Sequence, residues 1–242
     1  MNANIGYGAW LDGKHTFKDY GLVVGNNDVV GEPRPKVNII DIPGSSKRLD
    51  LTETLTGKPE YEGRQLKLVL GGMKGRDAWA EQYRRILMDL HGKRIKAVLD
   101  NDPLWYYEGR AELSGFDRVR DLGSFTLTLD AEAYKYEINA SDEAWMKDIV
   151  TQAGGTLKSY ESVSVSGNTS RRLSGSVIPV VPEFSITNLS NTADAYVTYN
   201  GTRYPLLAGL NRFAKLVIPA AGGVVYFYGN YTVEIRFRGG SL

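Results

Sequence analysis

Alternation with a period of two is the pattern that most narrows what this chain can fold into. Leu66, Leu68 and Leu70 are separated by Lys67 and Val69, and Phe125, Leu127 and Leu129 by Thr126 and Thr128. Successive side chains of a strand point to opposite faces, so each run predicts a half-buried strand. Ile95, Ala97 and Leu99 repeat the pattern, and the aromatic-rich residues 105–116 predict a further long strand. Between these runs one segment changes to the helical period. Trp79, Tyr83, Ile86, Leu87 and Leu90 fall on one helix face. Asp77 stands where an N-cap would accept the first free amides, and Gly92 where a left-handed residue closes the last turn. One helix lying on a sheet is an α+β arrangement.

Composition changes near residue 140. Residues 1–140 carry 20 Lys+Arg and 21 Asp+Glu against nine and seven in 141–242, whereas serine rises from four to eleven. Such a shift predicts a domain boundary between 136 and 151, giving domains 1–140 and 141–242. The second reads as all-β. Short apolar runs recur at 162–165, 176–181, 184–188, 195–199, 213–218, 224–228 and 231–238, with Asn200-Gly201 and Gly229-Asn230 as tight-turn signals. Seven or eight short strands in about 100 residues predict a β-sandwich. The fold class is therefore mostly β with one main helix.

Chemistry is sparse. A formal net charge of +1 in 242 residues argues against a dedicated nucleic-acid binder, and the absence of Cys removes disulfides, thiolate metal sites and thiol nucleophiles. His15 and His91 are the whole histidine complement; the first has no nucleophile near it in sequence, and the second ends the helix. No signal peptide and no membrane span is expected. Gly71-Gly72-Met73-Lys74-Gly75-Arg76 precedes the helix but lacks the spacing of a phosphate-binding loop and its Lys-Ser/Thr pair, so it reads as a strand-to-helix connection. Asp100-Asn101-Asp102 before Pro103 lacks the ligand spacing of a calcium loop and reads as a turn. No acidic pair stands out for glycoside hydrolysis. No catalytic residue, metal or cofactor is predicted. Arg171-Arg172 and Arg236/Arg238 are short basic spots, read as solvated or at a subunit contact. Tyr196, Tyr199, Tyr204, Tyr226, Tyr228 and Tyr231 crowd the second half. Their aromatic faces could stack on sugars, or they could simply fill half-buried strand positions.

Several first-half segments, in order, resemble a known family. They are the turn Pro43-Gly44-Ser45-Ser46, the run Arg48-Leu49-Asp50-Leu51-Thr52-Glu53-Thr54-Leu55-Thr56-Gly57, the strand from Leu66 to Leu70, the helix end Leu90-His91-Gly92-Lys93, residues 95–102, and Tyr106-Tyr107-Glu108-Gly109-Arg110. This order resembles the distal tail proteins (Dit) of long, non-contractile-tailed bacteriophages, especially those of Gram-positive hosts. The terminal run Val233-Glu234-Ile235-Arg236-Phe237-Arg238-Gly239-Gly240-Ser241-Leu242 is similar, more weakly, to that family's C-terminal galectin-like sandwich.

The resemblance implies a non-enzymatic hub of the tail tip, in the short form without an inserted carbohydrate-binding module. It implies an N-terminal ring-forming domain over 1–140 and a galectin-like sandwich over 141–242 that generally lacks the sugar-binding residues of galectins. Implied partners are further copies in a homohexameric ring, the tail-tube protein, the tail-tip or tail-associated lysin protein, and also receptor-binding and tape-measure proteins. The ring's channel would pass DNA without specific nucleic-acid binding or membrane insertion. The implied location is the distal end of the virion tail, after assembly in the host bacterial cytoplasm. A second reading from a different class is a carbohydrate-binding adhesin that meets cell-wall polysaccharide through the tyrosines.

Overall fold

The computed structural model describes residues 8–25, 29–54, 57, 59–73, 76–119, 122–139, 142–157, 162–176 and 178–242. The chain is mostly β and forms two compact units, Met1–Lys135 together with Leu242, and Tyr136–Ser241.

In the first unit the strands are β1 (Ala9–Leu11), β2 (Lys14–His15), β3 (Val23–Val24), β4 (Val29–Val30), β5 (Ile39–Asp41), β6 (Arg48–Asp50) and β7 (Arg64–Met73), followed by helix α1 (Arg76–Leu90) and strands β8 (Arg94–Leu99), β9 (Trp105–Val119) and β10 (Leu122–Ala131). The main sheet runs β2-β1-β8-β9-β10-β7-β3, with β4 also on β7 and every pairing antiparallel. The alternating runs meet in register: Phe125 lies opposite Leu70, Leu127 opposite Leu68 and Leu129 opposite Leu66. Leu127 and Leu129 in turn face Leu113 and Ala111 of β9. These rows form one apolar face, and α1 covers it with Trp79, Ile86 and Leu90 buried and Tyr83 and Leu87 packed alongside. Burying each large aliphatic or aromatic side chain is worth about 1.5–3 kcal/mol, so this layer supplies most of the unit's cohesion.

Two local features refine the helix and its sheet. The helix begins at Arg76, so Asp77 lies inside its first turn; the Asp77 side chain is outside the described residues. Strand β7 continues through Gly71 and Gly72 to Met73, so these glycines belong to the sheet rather than to a connection. Gly92 closes the helix at φ +74, where its N–H donates to the Ala111 carbonyl at 2.8 Å. In β9, Gly115 and Phe116 together oppose Phe125 alone, a β-bulge with Gly115 at φ +65. Phe116 stacks on Tyr83 of α1 at 4.4 Å.

Strand β11 (Lys135–Glu137) lies at the division between the units. The second unit then has helix α2 (Ala144–Gln152) and strands β12 (Ser162–Leu173), β13 (Glu183–Thr187), β14 (Tyr196–Tyr199), β15 (Thr202–Pro205), β16 (Gly209–Arg212), β17 (Gly223–Arg236) and β18 (Gly240–Ser241). The helix α2 is unexpected; it buries Met146, Ile149 and Val150 and lies almost wholly within the span 136–151 where a domain boundary is expected. The sheet order is β15-β14-β17-β13-β16, with β12 along the other edge of β17.

Gly229-Asn230 is not a turn between two strands. One strand, β17, passes through both residues and pairs with β14 in its first half and β13 in its second. It bends instead. Phe184 of β13 is in register with Ile235, yet its ring lies 5.4 Å from that of Phe227, eight residues up the strand. A straight strand would put those positions about 26 Å apart at 3.3 Å per residue. Gly229 at φ +124 faces Gly167 of β12 at φ +77, so both long strands place a glycine at the bend. The two-layered core thus arises by folding one sheet over on itself. Asn200-Gly201 is a turn as expected, both residues at positive φ between β14 and β15. The expected strands at 176–181 and 213–218 reduce to one isolated bridge, Val180 with Ile218.

Candidate assembly surface

The groups that sequence singles out for chemistry are occupied by structural work. His15 is buried in β2; its Nδ1 accepts the Phe17 and Lys18 amides, each at 3.1 Å, which leaves Nε2–H to donate to Asp100 at 3.1 Å. Asp102 takes the Lys135 ammonium at 2.6 Å, so the two carboxylates of 100–102 serve different partners. His91 accepts the Leu113 amide on Nδ1 at 3.0 Å, joining the helix end to β9. Asp89 holds Lys14 at 2.6 Å and the Tyr20 hydroxyl at 3.2 Å. The Lys14 hydrogen bond keeps that carboxyl below its ordinary range, while burial first and Asp89 second push the Tyr20 hydroxyl well above its own. Arg238 pairs with buried Asp142 at 2.6 Å, and desolvation lowers its pKa. Arg236 pairs with Glu234 at 2.7 Å. Among the described residues no group of three metal-ligating side chains gathers, and no helix is long and apolar enough to cross a membrane.

The tyrosine cluster divides by strand parity. Tyr199 and Tyr231 are buried and Tyr204 packs against the core, while Tyr196, Tyr226 and Tyr228 are on the opposite face.

A surface that sequence does not single out stands apart from the core of the first unit. Among the described residues, strands β5 and β6 pair only with each other, Ile39 opposite Asp50, Ile40 opposite Leu49 and Asp41 opposite Arg48. At the base, Pro35 bridges Tyr61, the Lys36 amide donates to Glu60 and the Glu62 amide to Arg34, each at 2.8 Å. Tyr61 meets Tyr134 edge to face at 6.1 Å, which anchors the hairpin. Beyond that base, every residue from Arg34 to Asp50 is exposed. The exposed set includes Val37 (58%), Ile39 (44%), Ile40 (49%), Ile42 (43%) and Leu49 (47%), a density of open aliphatic side chains that a surface hairpin does not need for its own folding.

Local hydrogen bonds hold this arm in shape. Gly44 takes φ +77 in the Pro43–Ser46 turn, the Leu51 amide donates to Asn38, and the Thr52 hydroxyl accepts the Asn38 amide at 3.0 Å. The Thr52 amide donates to Asp50 at 2.9 Å, and its hydroxyl and amide together hold the Asp50 carboxyl below its ordinary range. Arg48 and Asp41 pair at 3.1 Å, but both are largely in water, where such a pair contributes little. The arm is therefore preformed and uncovered. No periodicity distinguishes an apolar run buried by its own chain from one buried by a neighbour, so 37–49 is marked in sequence by its turn and by the run from Arg48 that enters the family resemblance, not by its exposed aliphatics.

No protein-family model matches this sequence, and no curated protein does. Among solved structures, the chain is similar to the crystal structure of the SPP1 Dit protein, described as a paradigm of the hub of the adsorption apparatus in phages that infect Gram-positive bacteria. The match has a TM-score of 0.61 at 12% identity and covers 98% of this chain and 99% of that one. The chain has the fold of that protein over essentially its whole length.

Proposed function

We propose that this chain, folded like a phage tail hub, is a structural component of a bacteriophage tail tip that assembles into a homohexameric ring. The observation that carries the reading is the β5–β6 arm. An isolated two-stranded hairpin is marginal in water, and this one exposes both its edges and its aliphatic side chains. Docking on a second copy would cover them. Each half-exposed Val, Ile or Leu would gain about 1 kcal/mol, so five together give roughly 5 kcal/mol per contact before the cost of association.

An arm on one surface that seats on a different surface of the next copy is a heterologous contact, and heterologous contacts close into rings when the rotation allows. In this reading the first unit, with its many charges of both signs, forms the ring and fixes its register. The second unit is the galectin-like domain. The tube protein docks on one side of the ring and the tip or tail-associated lysin protein on the other, with receptor-binding proteins at the rim. The chain's near-zero net charge suits a channel that passes DNA without retaining it. The role is structural rather than catalytic, and the location is the distal end of the virion tail.

Light scattering over a concentration series, followed by negative-stain imaging, tests the reading. The expected result is a species near six times 26.8 kDa with a central hole, alone or after adding the tube and tip proteins. Monomers at every concentration, with no ring in the presence of those partners, overturn it.

A further inference from the structure

The second unit carries an aromatic face on the side of its sheet opposite the core. Register places its residues in rows across four strands. One row runs from Asn168 on β12 to Tyr228 on β17 and Tyr196 on β14; the next runs from Ser170 to Tyr226, Thr198 and Arg203 on β15. Arg172, opposite Val224, begins a third. Inward neighbours Val197, Val225 and Phe227 are fully buried, so these rows point outward as a consequence of strand parity.

The geometry within the rows is ordered. Tyr196 and Tyr228 stack at 4.5 Å and 11°, and the Arg203 guanidinium lies 3.6 Å from the centre of the Tyr196 ring. That stack fixes three long side chains before any ligand arrives, and ordering them in advance removes part of the entropy cost of binding. Tyr226, 44% exposed, is flanked by the short side chains Ser170 and Thr198, which leave its ring open. None of the residues in these rows is acidic, and a carboxylate at the rim, Asp194, is held by the Asn191 amide at 2.8 Å.

An open aromatic ring among polar side chains offers its face to the C–H groups of a sugar, while hydroxyl and amide side chains beside it match sugar hydroxyls. The flanking arginines add charge selectivity, because a guanidinium binds carboxylate or phosphate through paired hydrogen bonds. The outer strands of the face are about 14 Å apart, three strand spacings, a span that suits an oligosaccharide segment rather than one sugar. We propose that this face binds an anionic polysaccharide, with a sugar ring over Tyr226 and the polymer's acidic groups on Arg172 and Arg203. The site lies within the second unit, whereas the proposed ring contact is assigned to the arm of the first.

The full-length chain is titrated calorimetrically with polygalacturonate and with a phosphomannan, the carboxylated and phosphorylated sources of the same chemistry. Dextran and poly-glutamate are the comparison polymers. Binding of either anionic polysaccharide is expected, at least tenfold tighter than dextran or poly-glutamate and weakening steeply with salt. Tyr226→Ala should weaken it tenfold or more, and Arg172→Gln with Arg203→Gln should remove most of the salt dependence. Unchanged thermal melting of these variants, all altered at exposed positions, establishes that folding is not the cause. Failure to bind both anionic polysaccharides, equal binding of dextran or of poly-glutamate, or an unaffected Tyr226→Ala overturns the proposal. Light scattering on the same samples reports the ring separately, so the two readings fail by different measurements.

Discussion

Gly123 and Trp79 show how a single residue sets the distance between helix and sheet. A Cβ placed on Gly123 would lie 1.3 Å from Nε1 of Trp79, well inside any contact distance. Trp79 is wholly buried and its Nε1 has no hydrogen-bond partner among the described residues, so the indole is held there by packing alone. Gly123→Ala should therefore force α1 off β10 and cost about 2 kcal/mol or more, measured by urea unfolding. The cause is testable within the same experiment. Trp79→Leu removes the indole whose Nε1 meets the added methyl, so in the Gly123→Ala background it should cost less than it does alone. Strictly additive losses would show that the two sites are uncoupled. The contact is not readable from sequence, where nothing marks Gly123 and Trp79 looks like any helix-face aromatic. Burial of Trp79 is legible from its spacing, whereas the identity of the atom it meets depends on register between segments more than 40 residues apart.

At the scale of elements, legibility follows the length and regularity of each pattern. The helix α1 and strands β7, β8 and β10 repeat their apolar period three or more times, which is enough to specify type and face. Helix α2 has nine residues and buries three, in a stretch whose polar flanks imitate a linker. Strand β17 reads as two strands because Gly229-Asn230 carries the composition of a tight turn; its partner Gly167, which turns a reversal into a bend, is 62 residues away. Two element-level losses follow. Gly92 sits at φ +74 with nothing within 4 Å of where a Cβ would stand, so Gly92→Ala introduces backbone strain without a clash and should cost about 1 kcal/mol. A loss above about 3 kcal/mol would mean that the close of α1 carries more than conformational strain. Asp142 accepts from both the Asn139 amide and Arg238, tying the two ends of the second unit together. Asp142→Asn removes the carboxylate charge that pairs with a largely desolvated guanidinium at 2.6 Å. A loss of about 2 kcal/mol is expected, below the figure for fully buried pairs because Arg238 keeps some solvent contact. Denaturant midpoints measure both.

For the whole molecule, the arm poses a question that assembly answers, because its aliphatic side chains are left open to water in an isolated copy. Surface substitutions that touch no partner usually alter stability by less than about 0.5 kcal/mol. Ile39→Asp with Ile40→Asp places one charge on each face of the hairpin, since neighbouring strand residues point opposite ways. In a single copy both positions are 44–49% exposed, so the carboxylates stay hydrated and the melting temperature should hardly move. In a ring the same carboxylates would have to leave water against an apolar seat, a penalty of several kcal/mol for each of six contacts. The expected outcome is a variant that melts like the parent at dilutions where both are monomers, and that scatters as a monomer at concentrations where the parent is a ring. The opposite pattern is equally informative. A variant that melts earlier but still forms rings would show that the arm packs on its own unit and that the ring is closed by another surface. The test is sharp because the proposed ring moves the same five aliphatic side chains from water into a protein interior, while in a single copy they stay in water.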